Sequence, residues 1–355
     1  MIDLPLILGI ETSCDETACA VVAEGQRVLS DVVASQIELH ARFGGVVPEV
    51  ASRAHIEAVN TVIGQAIERA SVKTGDIAAV AVTNEPGLIG SLLVGLTAAK
   101  TLAWVWSVPL IGVNHVYAHA YAAALDAEDI KYPAVALICS GGHTALYHCR
   151  SPIAFELLGT TIDDAAGEAF DKVACILNLG YPGGPAIDAL ARRGNPQAVR
   201  FPRSLMGGGS LDFSFSGLKT AVLYHVNGVP GAIRHKKVAR SRNTKRGIEN
   251  LTASQVADIA ASFQAAVVDV LRTKLRRAAE HAGAKTLIIG GGVAANSALR
   301  AAAGRLADKL GCTLRLPQER FCVDNAAMVA ALGYHYLRAG LTTGLDVEAH
   351  ATVMR

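Results

Sequence analysis

The chain has 355 residues, long enough for two core-bearing domains, and its 51% hydrophobic and 18% charged residues exclude a disordered protein. A formal net charge of +2 is too small to argue for nucleic-acid binding by bulk electrostatics, so any RNA contact must come from local patches. Seven cysteines (14, 19, 139, 149, 175, 312 and 322) without a Cys-x-x-Cys pair exclude a structural zinc knuckle and read as reduced thiols. The first residues lack the basic start and long apolar core of a signal peptide. No uncharged apolar run reaches the ~18 residues of a membrane span. A soluble, cytoplasmic protein that does not engage a membrane is expected.

In chain order, Leu6 to Ile10 predicts a strand, followed by the polar run ETSCDET and a second strand from Ala18 to Ala23. Small hydroxyl residues, Thr12 and Ser13 among them, stand at the turn and are candidate phosphate contacts. Pro48 to Ser71 has helical spacing, Ile77 to Thr83 reads as a buried strand, and Gly87 to Ala103 as a glycine-opened helix. The pattern then restarts. Leu110 to Val113 is a strand, a helix carries His115 and His119, and Ala134 to Cys139 is a strand ending in Ser140-Gly141-Gly142-His143, with Ala145 to His148 as its partner. A small-residue helix follows from about Ala165 to Leu177. Thr286 to Ile289 feeds Gly290-Gly291-Gly292 and a helix from about Asn296. Leu314 to Leu316 is a last strand, and Asp324 opens a helix to about Ala339. Two strand–turn–strand units, near residues 10 and 141, suggest a duplicated α/β domain with a ligand cleft between its halves.

His115 and His119, one helical turn apart, are a common way to chelate a divalent ion, although the same spacing also occurs on ordinary helix surfaces. Val116 stands where a zinc protease would need glutamate, so that reading fails. Asp324 is the candidate oxygen ligand. The Ser140–His143 turn can cradle phosphate or carboxylate oxygens with its N–H groups. Gly291, Gly292 and Asn296 form a similar strand–turn–helix start. Neither is a P-loop or a dinucleotide fingerprint. Within 161–172, Asp163 and Asp164 suit a helix N-terminus, whereas Asp171 suits a ligand hydroxyl. Tyr181 to Gly184 reads as a rigid loop, with Asp188 one turn beyond. Residues 234–246 hold Arg234, Lys236, Lys237, Arg240 and Arg242 with no acid. They read either as a solvated loop or as a phosphate-contacting element for RNA.

Nine segments, in order, closely resemble the tRNA threonylcarbamoyladenosine synthesis family in its bacterial TsaD branch: GIETSCDETA (9–18), HARFGGVVPEVASRAH (40–55), NHVYAHAYA (114–122), CSGGHTAL (139–146), TIDDAAGEAFDKVA (161–174), YPGGPAID (181–188), LDFSFSGLKTA (211–221), GGGVAANSALR (290–300) and FCVDNAAMVA (321–330). The resemblance implies the α/β fold shared by actin, the 70-kDa heat-shock chaperones and sugar kinases (ASKHA), two ribonuclease-H-like lobes around a nucleotide cleft. The lobes would be 1–112 plus 325–355, and 113–324. It implies one iron or zinc ion on His115, His119 and Asp324. Cys139, Ser140, Gly141, Gly142, His143, Asp171, Gly184, Asp188 and Asn296 would hold the adenylate and threonylcarbamoyl parts of the donor.

The implied reaction is transfer of threonylcarbamoyl from threonylcarbamoyl-AMP, made by a separate synthase, to N6 of adenosine 37 in tRNAs reading codons that begin with A. ATP or ADP would fit the same cleft. A TsaB-like paralogue and a TsaE-like ATPase are the implied partners, with docking expected near residues 50–70. Glu16 and Asp15 are weak candidates for a general base. The rivals are a kinase or ATPase of the same fold and a non-catalytic nucleotide-binding subunit. The kinase would not explain the histidine pair.

Overall fold

The computed structural model describes residues 5–228 and 247–352. The basic stretch with Arg234, Lys236, Lys237, Arg240 and Arg242 lies outside the described residues.

Each half grows from an antiparallel meander. In the first, β1 (Leu6–Glu11) pairs with β2 (Glu16–Ala23), and β2 with β3 (Arg27–Ser35). Strands β4 (Ile77–Glu85) and β5 (Leu110–Asn114) then add in parallel beyond β1, giving the order β3-β2-β1-β4-β5. In the second, β6 (Ala134–Cys139), β7 (Thr144–Ser151) and β8 (Ala154–Thr160) form the meander, and β9 (Thr286–Gly290) and β10 (Thr313–Arg315) add in parallel. Strand for strand the two sheets have the same order and directions. The duplication suggested by the two turns is therefore topological.

The helices sort into layers. After the short α1 (Ile37–Ala41), α2 (Pro48–Ala70) and α3 (Ile89–Trp106) cover the outer face of the first sheet. The last strand of that sheet leads into α4 (His115–Tyr121). In the second half come α5 (Ala166–Ile176), α6 (Gly183–Ala191), α7 (Ser216–Asn227), α8 (Ala253–Ala282) and α9 (Ser297–Leu310), which pack on its outer face. The last strand of the second sheet leads into α10 (Ala326–Arg338). Helices α4 and α10 form the layer between the sheets: one core joins them to β1, β2, β4 and β6. Strands covered on both faces read as near-continuous apolar runs, as in β6 and in β2 from Ala18 onward, and both are buried end to end.

Close approach is made by small residues. A Cβ on Gly9 would lie 2.3 Å from the Ala326 carbonyl oxygen and 2.8 Å from Ala330 N, so β1 lets α10 down onto the sheet only because Gly9 has no side chain.

Three local expectations change. Helix α3 starts at Ile89, not Gly87, because Gly87 is packed against Ser13 and Leu88 N donates to the Ser13 carbonyl at 2.8 Å. Helix α10 is opened not by Asp324 but by Asn325, whose Oδ1 accepts from Met328 N at 3.0 Å. Asp163 and Asp164 do not cap α5. Asp163 accepts from Phe215 N at 2.8 Å and Ser216 N at 3.3 Å at the start of α7, and Asp164 pairs with Lys172 and Lys219. Helix α3 is the one described helix long and apolar enough to cross a membrane, at 18 residues and mean hydropathy 1.4. It carries Lys100 and packs against β4 and α2.

Candidate metal centre and nucleotide cleft

The site is assembled where the middle-layer helices begin. Asn114 ends β5 and caps α4, its Oδ1 accepting from Val116 N at 2.9 Å and Tyr117 N at 3.2 Å. That sets His115 and His119 on one face, a turn apart, with ring centroids 4.6 Å apart. Because Asn325 does the capping at α10, the Asp324 carboxylate is released toward α4. Its Oδ1 lies 3.0 Å from His119 Nε2 and 3.5 Å from His115 Nε2. One ligand atom from each of the three residues falls within 4.8 Å of the others. His119 Nδ1 is buried with no hydrogen-bond partner among the described residues. Two imidazoles and a carboxylate are a donor set suited to zinc or iron, and three protein donors beside a cleft resemble catalytic more than structural sites.

Charge is concentrated here. Burial alone would depress His115, but the Asp324 and Glu11 carboxylates push it up to about 9. Burial would raise Asp324, yet His115 and His119 hold it well below the carboxylate range. His143 is pushed down to about 4 by burial and by His115 and His119. Glu16 is pushed up to about 10 by burial and by Asp324 and Asp15.

A cleft of about 800 Å³ opens beside this centre, walled by Ser13 to Glu16 from one half and by the Ser140–His143 turn, Asp171 and Gly292 from the other. The 140–143 turn closes on itself, Ser140 N donating to the His143 carbonyl at 2.8 Å and His143 N to Ser140 Oγ at 3.2 Å. Gly141 and Gly142 have no atom within 4 Å of where a Cβ would stand, so a ligand can approach their main chain. Gly291, at φ +84°, crosses within 2.4 Å (Cβ position) of the Cys139 carbonyl oxygen. The Cys139 thiol itself is fully buried, and burial raises it. Among the described lining residues Lys172 is the only lysine or arginine, against five carboxylates.

The remaining predicted residues divide. Asp171 lines the cleft and its Oδ1 accepts from Gly183 N at 2.7 Å, holding the loop before α6. Gly184 is unobstructed, and it is Gly183 that a side chain could not replace, with Asp171 Cα 2.7 Å from its Cβ position. Asp188 accepts from Ser297 Oγ at 2.8 Å and Arg192 at 3.1 Å, tying α6 to α9. Asn296 caps α9 through Leu299 N at 3.0 Å and donates to Gln264 Oε1 at 2.8 Å. Asp188 and Asn296 stand behind the cleft lining. Thr12 departs from expectation: it is fully buried and donates to the Ser91 carbonyl at 2.8 Å, facing α3, whereas Ser13 does reach the cleft. Sequence reasoning passed over Glu11 and Gln264. An acid closing the apolar run LILGI was the visible signal for Glu11; Gln264, inside the long α8, had none.

A family model described as TsaD, tRNA N6-adenosine threonylcarbamoyltransferase, matches residues 27–331. A curated protein of that name from Anaeromyxobacter dehalogenans is 50% identical over 344 residues, covering 97% of both chains. One from Symbiobacterium thermophilum is 51% identical, covering 97% of this chain and 95% of that one. Among solved structures, T. kodakarensis HypF matches 95% of this chain and 48% of its own at 16% identity and a TM-score of 0.60. The activator of 2-hydroxyisocaproyl-CoA dehydratase from Clostridium difficile matches 94% and 96% at 12% identity and a TM-score of 0.50. These two speak for the fold, and the two-lobed actin-like class expected from the sequence is the one found. The chain belongs to the TsaD family of tRNA N6-adenosine threonylcarbamoyltransferases.

Proposed function

We propose that this cleft binds threonylcarbamoyl-AMP and that the chain transfers its threonylcarbamoyl group to N6 of adenosine 37 in tRNAs reading codons that begin with A. The N6 nitrogen attacks the carbamoyl carbon, the bond from that carbon to the phosphate oxygen breaks, and AMP leaves. The observation that carries this reading is the convergence of His115, His119 and Asp324 at a cleft whose facing turn exposes main-chain N–H groups. With Lys172 the lone lining lysine or arginine among the described residues, a phosphate here depends on main-chain donors, for which Gly141, Gly142 and Gly292 on the lining and Gly291 beside them are placed, the N–H groups of Ser140 and His143 being engaged within their own turn. The adenylate end would lie along the wall at Asp171, with the Gly184 loop next to it and Asp188 and Asn296 bracing that wall from behind, and ATP or ADP could take the same position. A divalent ion, iron or zinc, held by His115, His119 and Asp324 would supply a Lewis acid for the carbamoyl oxygen. Glu16, pushed up to about 10, holds its proton at neutral pH. That suits it to donating a hydrogen bond and not to accepting the N6 proton.

The lobes would divide as 1–112 with 325–355, and 113–324, in a cytoplasmic protein. A groove of about 630 Å³ between α2 and α3, with Ile56 and Leu93 exposed on it, suits an apolar partner surface such as that of a TsaB-like paralogue. A TsaE-like ATPase would join that assembly, and a separate synthase would supply the donor. Arg234, Lys236, Lys237, Arg240 and Arg242 would add phosphate contacts to tRNA.

The test is nucleoside mass spectrometry of tRNA from cells depleted of their own enzyme. Rescue by the wild type but not by His115→Ala/His119→Ala supports both transfer and the metal centre. Rescue by both would remove the centre from the reaction. Tight ATP turnover without tRNA, and no modified nucleoside, would favour a kinase or ATPase.

A further inference from the structure

We propose that Glu11 is a positioning residue for the metal centre: it fixes His115 with the proton on Nδ1, so that Nε2 is presented to the ion as a more basic ligand. The proposal rests on the reading of His115, His119 and Asp324 as a metal site.

Glu11 is the last residue of β1 and is fully buried. Each contact to its carboxylate comes from a donor. Oε1 accepts from Ser13 N at 2.6 Å, and Oε2 accepts from Thr83 Oγ1 at 2.5 Å and faces His115 Nδ1 at 3.0 Å. An ionised carboxylate so placed can only accept, so the hydrogen between it and the ring belongs to Nδ1, and Ser13 Oγ, 3.2 Å from the same nitrogen, is then a second, longer acceptor. With that hydrogen fixed on Nδ1, Nε2 is the nitrogen that gives up its proton to an ion, on the side where Asp324 lies. A histidine that donates its second N–H to a carboxylate is held in ring orientation and tautomer and binds metal more strongly.

The duplicated fold provides an internal control. The last residue of β6, which occupies the same place in the second sheet, is Cys139, equally buried and uncharged. The matching strand end in the second half thus carries no acid. Among the described residues His115 is the one cationic group paired with Glu11, and a carboxylate buried this way is costly unless its partner carries positive charge. An ion on Nε2 provides that charge through the ring.

The test is zinc affinity of the full chain, read by competition with a chromophoric chelator, beside the cobalt(II) absorption spectrum of each variant. In Glu11→Gln the amide nitrogen would face either Ser13 N–H or the His115 and Thr83 donors, so a donor meets a donor in both orientations. Zinc affinity is expected to fall roughly 10–100-fold, with a shifted cobalt band and an unchanged far-UV spectrum. Thr83→Val, which removes one donor and leaves the charge, is expected to lose affinity several-fold. A folded Glu11→Gln within twofold of wild type, with the same cobalt band, overturns the proposal and leaves the metal centre intact. If Glu11→Gln does not fold, unaltered affinity in Thr83→Val overturns it and weakened affinity supports it. A wild type that takes up no stoichiometric zinc or cobalt overturns the metal centre and this proposal with it.

Discussion

Asp324 Oδ1 stands 3.0 Å from His119 Nε2, although 205 residues separate them in the chain. The contact exists because α4 and α10, each following the last strand of its own sheet, pack together between the two sheets. Their starts are neighbours, and each start is capped by an asparagine that leaves the adjacent side chain free.

Asp324→Asn keeps the volume and removes the charge. Zinc affinity should fall by more than the roughly 10–100-fold that loss of an outer hydrogen-bond partner costs. Competition titration checks this, and retention of affinity within threefold would exclude Asp324 as a ligand.

The metal-free protein should respond to alkaline pH through His115. Its value in the folded state is raised from 6.5 to about 9, since Asp324 and Glu11 outweigh burial. A histidine raised in this way stabilises fully below its unfolded value and loses that contribution as pH rises through the folded one. Stability in urea should therefore decline between about pH 7 and pH 9. Asp324, held low, behaves oppositely and loses its contribution only in strong acid. Zinc has to displace the His115 proton, so apparent affinity should rise about tenfold per pH unit over the same window. An affinity flat from pH 7 to pH 9 would show that His115 is not protonated in the free protein.

Gly9→Ala tests the seat of α10. Its Cβ would stand 2.3 Å from the Ala326 carbonyl oxygen, which belongs to helix backbone and cannot swing aside. The substitution should destabilise by about 1–3 kcal/mol and weaken zinc binding, because α10 carries Asp324 at its start. Lower stability with unchanged zinc affinity would mean that the helix start is set independently of β1.

Ile56→Asp with Leu93→Asp tests the groove between α2 and α3. Both side chains are exposed, at 63% and 50%, so the thermal midpoint should hardly move. Association with a TsaB-like partner, followed by analytical ultracentrifugation, should weaken by at least about 30-fold, the scale of a central anchor residue. Undiminished association would place the partner elsewhere.

Most of the fold was legible in the chain because the strands are covered on both faces. LILGI, AAVAV and AVALIC are unbroken apolar runs, and the small polar or glycine turns after them mark where the main chain must bend. Boundaries were less legible where a residue serves tertiary contact instead of its local element. Gly87 packs on Ser13 and so does not open α3, and Asp163 caps a helix about fifty residues away in place of its neighbour.

The sequence by itself determined the two α/β halves and the histidine pair, because strand periodicity, helical spacing and turn chemistry are local properties, and it disclosed the family through nine matching segments in order. Only the tertiary structure decided that Asp324, the acid expected from the resemblance, stands 3.0 Å from His119, that Thr12 faces α3 and not the cleft, and that Glu11 stands behind His115. Those relationships depend on two sheets closing on a shared pair of helices. No spacing along the chain encodes the distance between residues that meet only across that middle layer.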